Sequence, residues 1–197
     1  MATAAVIPST RPVVLADVLP GARVRDAVLV AAAALFTAAL AQVSLPVAGS
    51  PVPITGQTLA VVVTAAALGP RRGVAAQALY IALGAVGLPF YSEAASGFDV
   101  VAGATGGYLL GFLPAAYLIG LAARHRLDRA PWKALPLFLA GQAVIFAVGV
   151  PWLAVAADLS AQQALAAGLY PFLVGGLVKA AVAALLLPGA WMVVRDR

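Results

Sequence analysis

Six apolar stretches divided by short polar ones dominate this sequence, and a chain so divided has few ways to fold. They run from about 25 to 46, 54 to 69, 73 to 88, 105 to 123, 134 to 156 and 168 to 194. A helix crosses the hydrocarbon of a bilayer with about 20 mostly apolar residues, and the chain supplies several such runs. Composition points the same way. Hydrophobic residues make up 63% of the chain and charged ones 10%, against roughly 45–50% and about 25% in soluble domains. The expected fold class is all-α, a polytopic membrane protein with six transmembrane helices. A single domain over 23–197 takes up nearly the whole length, with 1–22 as a cytoplasmic N-terminal tail. That tail has prolines and no basic run ahead of an apolar core, unlike a signal peptide.

The charges set the expected orientation. Arg11, Arg23, Arg25, Arg71, Arg72, Arg124, Arg126, Arg129, Lys133, Arg195 and Arg197 all fall on one side of a six-crossing chain. The loops on the other side carry Glu93, Asp99 and Asp158 and no Lys or Arg. This asymmetry places both termini in the cytoplasm of a multi-pass cell-membrane protein. The net charge of +5 therefore serves topology, and no nucleic-acid partner is expected.

One basic residue is left over. Lys179 lies in GLYPFLVGGLVKAAVAALLLP (168–188), about 11 residues from one end of the sixth stretch and about 15 from the other. A lysine near a helix centre costs about 2.5–3.5 kcal/mol on insertion scales. At about 1.5 Å per residue both interfaces are too far for its stem to reach easily. No Asp or Glu lies deep in any of the six stretches. Backbone carbonyls, a water-filled pocket or an anionic ligand remain as partners, and the ligand site is favoured.

Two further features bear on function. Ala27, Ala31, Ala34, Ala38 and Ala41 recur at spacings of 4, 3, 4 and 3, a small-residue stripe that lets another helix approach closely. The stretches PVPITGQT (51–58) and GLPFYSEAASGFDVVAGATGGY (87–108) combine prolines, glycines, polar side chains and aromatics. Phe90, Tyr91, Phe98 and Tyr108 suit an apolar slot with a few polar tips; interfacial anchoring is the plainer use of such rings. Enzymatic chemistry has little to work with. The chain has no cysteine, and its one histidine, His125, sits among arginines in a polar turn. No deep acid is present to act with it, and no nucleotide-binding motif occurs. No metal or cofactor is expected.

Five motifs in order carry a family resemblance: VPITGQTLAV (52–61), LGPRRG (68–73), GLPFY (87–91), GATGGYLLGF (103–112) and YPFLVGGLVKA (170–180). Together they resemble BioY, the biotin-specific substrate-binding S component of energy-coupling factor (ECF) vitamin transporters. The resemblance implies a six-helix S-component bundle, not an enzyme, that captures biotin from the outer face. It implies partnership with a membrane T component and two ABC-type ATPase subunits, met by Ala27, Ala31, Ala34 and Ala38 of the first helix. It places Lys179 near the biotin carboxylate and lets Tyr108, Gln57 and Thr58 face the pocket. The family motif resembles Gly-Asp-x-x-Lys, with the acid near the ureido ring. Here Gly175 and Lys179 match, but the position of the acid is Gly176. Asp99 and Glu93 of the capping loop are the expected substitutes. An S component for another anionic vitamin, or a structural or assembly protein of the membrane without a ligand, are the alternatives.

Overall fold

The structure is a computed structural model and describes residues 13–19 and 23–195. Among these, eight α-helices account for most of the chain: α1 (Arg23–Ala41), α2 (Gln57–Leu68), α3 (Pro70–Ala85), α4 (Phe98–Ala102), α5 (Gly106–Arg124), α6 (Pro131–Ala156), α7 (Ala161–Gly168) and α8 (Tyr170–Arg195). The six long ones coincide with the six apolar stretches. Four regions are long and apolar enough to cross a membrane: α1, α5, α6 and the α7–α8 region. By contrast α2, with 12 residues, and α3, with 16, are shorter. Arg11, Arg197 and most of the expected tail lie outside the described residues.

The join between α2 and α3 is tighter than the gap between the apolar stretches that end at 69 and begin at 73. Gly69 alone makes the turn, at φ +81°, and Pro70 already begins α3. Glycine takes this left-handed backbone without a Cβ penalty, and proline is pre-set for the first helical position. Arg71 and Arg72 therefore belong to the first turn of α3. The short segment 13–19, expected within a tail, is also folded. Its 3-10 turn (Leu15–Val18) docks on this end of the bundle. Arg72 donates to Asp17 at 2.6 Å, to Asp26 at 3.2 Å and to the Leu68 carbonyl at 2.9 Å.

Burial pushes the Asp17 carboxyl up, but the bonds from Arg72 and the Val14 N–H outweigh it and hold the group below its usual 3.8. The clamp is thus in full force above pH 3.8 and is lost as pH falls through the lowered value. Arg72→Ala should lower the melting temperature at pH 7 by about 2–4 °C, as expected for a part-exposed pair worth about 1 kcal/mol. Thermal unfolding at pH 7 checks it, and an unchanged melting temperature would remove the clamp from the account. Nearby, Trp191 donates to the fully buried Asp128 at 2.7 Å, and the Arg129 guanidinium lies 3.7 Å over the Trp191 ring.

Polar contacts join α1, α2 and α3 at depth. Gln77 donates to Thr64 at 3.2 Å and to Thr37 at 3.3 Å, and Thr37 donates to the Ala33 carbonyl at 3.0 Å. Buried in this way they satisfy one another where no water is available. The α5–α6 seam is set by glycines instead. A Cβ on Gly107 would fall 2.2 Å from the Trp152 Cβ, and one on Gly149 would fall 2.4 Å from the Tyr108 ring. Each glycine is the notch that receives the other helix's aromatic side chain.

Candidate functional site

Because α2 has only twelve residues, it rises about 18 Å from the Gly69 turn, well short of a hydrocarbon core of about 30 Å. The room above its first turn is not filled by another helix. A small antiparallel ladder, β1 (Ser44–Leu45) with β2 (Ile54–Thr55), dips into it. Gly56 follows, with so little space that a Cβ there would lie 2.7 Å from the Leu40 carbonyl oxygen. Irregular backbone at membrane depth is tolerated where it borders a cavity, and a cavity is what it borders.

This pocket is lined by Val52, Pro53, Thr55, Gln57 and Thr58 on one side. Tyr91, Ser92, Val100 and Thr105 cap it, and side chains of α5, α6 and α8 complete the wall. The enclosed space is about 60 Å³, enough for a few waters but below the range of about 300–1,000 Å³ typical of occupied small-molecule sites. A second, more open groove of about 490 Å³ lies between α6 and α8, and apart from Gln142 it is lined by apolar residues and Gly176. It holds no charged side chain, so the smaller cavity is the candidate site.

Lys179 lines the cavity and donates to the Thr55 carbonyl at 2.8 Å. Two of the three partners expected for it, a carbonyl and a pocket, are thus present together. Gln57 is held at both ends: it donates to the Tyr80 hydroxyl, and its Oε1 accepts from Thr55 Oγ1 at 2.7 Å. Thr58 presents a buried hydroxyl with no hydrogen-bond partner among the described residues. Tyr108 contributes its ring, packed near Phe146 and Phe172 with centroids 6.4 Å away in each case. Its hydroxyl is committed to the Gly168 carbonyl at 2.9 Å.

Glu93 and Asp99, the acids expected at the ligand ring, do not line this cavity. Both are exposed and line a shallow outer depression with Pro46, Val47 and Ser50. Phe98, also expected in the slot, is 69% exposed. Sequence reasoning missed Gln142, Phe112, Phe146 and Phe172, all lining residues. Gln142 had a readable signal, because it is the one polar side chain between 134 and 156 apart from the Trp152 indole.

The cap is braced by Gln42 at the end of α1. Its Nε2 donates to the Tyr91 carbonyl at 3.0 Å, and its Oε1 accepts from the Ala94 N–H at 3.0 Å. These bonds hold a bend in which Glu93 and Ala94 take φ of 59° and 56°, a backbone that only firm surroundings maintain. Tyr91 donates to the Ile81 carbonyl at 2.7 Å. On α1 itself the alanine stripe divides: Ala34 and Ala38 are 1% and 6% exposed against the chain's own helices, while Ala27 and Ala31 are exposed.

Comparison with known proteins follows the same lines. A model of the BioY family matches residues 10–196. The biotin transporter BioY of Thermotoga maritima is 38% identical over 157 residues, covering 78% of this chain and 90% of that protein. The biotin transporter BioY of Rhizobium etli is 34% identical over 170 residues, covering 82% and 90%. Among solved structures, the S-component for biotin from an ECF-type ABC transporter superposes with a TM-score of 0.79 at 23% identity, covering 88% of this chain and 92% of that one.

Proposed function

The chain belongs to the BioY family, and on that premise we propose that it is the biotin-capturing S component of an ECF-type transporter. The observation that carries this reading is Lys179, a cation at membrane depth in the wall of the pocket, whose one described side-chain bond is to a backbone carbonyl. A ligand carboxylate is a stronger partner than a carbonyl in such surroundings. Biotin's carboxylate meets Lys179, and its apolar body lies among Phe112, Phe146, Phe172 and Tyr108. The Thr58 hydroxyl supplies a polar contact. The basic end of the bundle faces the cytoplasm, and the loops over 43–56 and 86–105 face outward. A membrane T component and two ABC-type ATPase subunits supply the energy, and the exposed Ala27 and Ala31 of α1 are the surface offered to the T component.

Calorimetric titration of the full chain in lipid nanodiscs tests the assignment. Biotin is expected to bind with saturable heat and to raise the melting temperature, while riboflavin and thiamine do neither. Absence of both effects with biotin would overturn the specificity.

A further inference from the structure

The apolar wall of the pocket contains one neutral group out of keeping with its neighbours. Gln142 on α6 is 4% exposed and lines the pocket beside Ile145 and Phe146. Its Nε2 donates to the Gly176 carbonyl on α8 at 2.8 Å. No described donor reaches its Oε1. A Cβ built on Gly176 would lie 2.4 Å from that Oε1. Residues 142 and 176 therefore compete for one volume, and a side chain at 176 would push the amide aside and break its bond to α8. The absent side chain of Gly176 and the amide of Gln142 are two halves of one arrangement.

We infer that Gln142 is the acceptor for an N–H of the ligand's cyclic urea and so determines which ring the pocket takes. The inference rests on the biotin reading. Its physical basis is that an amide oxygen to which no described group donates is a ready acceptor for a ligand N–H, whereas a ligand without one gains nothing there. A neutral acceptor has a second effect. An acid at 176 would sit three residues before Lys179 on the same helix face, where opposite charges pair. It would rival the ligand's carboxylate as counter-ion. Gln142 provides an acceptor from the neighbouring helix without adding that negative charge. Asp99 and Glu93, exposed beyond the cap, are not needed for the role.

The test is calorimetric titration of the full chain, wild type and Gln142→Met, with biotin, biotin amide and a biotin methylated on its ureido nitrogens. Gln142→Met should weaken biotin and biotin amide alike by about 10- to 30-fold, the scale of one lost hydrogen bond in a dry site. It should also erase most of the preference for biotin over the methylated ring. Gly176→Ala keeps the amide but displaces it, and should cause a smaller loss with the same ligand pattern. If the wild type binds biotin and Gln142→Met binds within about twofold of it, the assignment of Gln142 fails while the transporter reading stands. The Gln142 assignment also fails if the methylated ring is still rejected as strongly by a folded Gln142→Met variant. A wild type that binds no biotin overturns both.

Discussion

Lys179→Met is expected to weaken biotin binding by about 100-fold or more while leaving biotin amide within about threefold of its wild-type affinity. Methionine keeps most of the apolar stem, so packing in α8 survives and only the charge is lost. The ammonium donates to the Thr55 carbonyl at 2.8 Å, and a ligand carboxylate would replace this dipole with a full charge. Removing one partner of a desolvated pair costs about 2–5 kcal/mol, much of it the cost of leaving the other charge buried alone. Biotin amide brings no such charge and so has little to lose. Titration of both ligands against both proteins reads the effect. Equal losses for the two ligands, or none for either, would remove Lys179 from its role as carboxylate partner.

Gly106→Ala should cost about 3 kcal/mol of stability, at the upper end for overpacking, and should weaken ligand binding along with it. A Cβ there would lie 1.7 Å from the Val101 carbonyl oxygen and 2.6 Å from its carbon. These are backbone atoms on the cap, only five residues away in the chain, and no rotamer change relieves them. The cap cannot slide away freely, because Trp152 donates to the Gly103 carbonyl at 2.9 Å. Displacing it moves Val100 and Thr105, which border the pocket. Gly189→Ala is the matching control, since a Cβ at that position meets nothing within 4 Å. Thermal unfolding and biotin titration of the two variants together check the account. A Gly106→Ala protein as stable as Gly189→Ala would show that the cap does not need this close approach.

These cases show what could be read from the chain in advance. Helix positions were legible because apolar runs against polar punctuation are a strong local signal, and α6 (Pro131–Ala156) begins within a few residues of its expected start. Lys179 was legible because a charge in such a run is anomalous by composition. Gln142 stands out as the one amide in its apolar run, but its value depends on its facing Gly176 across two helices, which no local pattern records. The expected use of Glu93 and Asp99 came from the need for an acceptor near the ring, whereas their side chains are exposed and line the outer depression while their neighbours Ser92 and Val100 border the cavity. The alanine stripe of α1 recorded the possibility of close packing but not the partner. For Ala34 and Ala38 that packing is within the chain, where they join its buried core.

The half-buried Lys179 also has an electrical consequence. As an ammonium, Lys179 puts one positive charge in the pocket wall, and a carboxylate paired with it would cancel that charge within the membrane field. Moving a full charge through the field is worth about 2.3 kcal/mol per 100 mV. A step that carried the pocket across the bilayer with a carboxylate paired to Lys179 would therefore move no net charge at this site. The same step without the carboxylate would displace charge, so the resting potential would bias it.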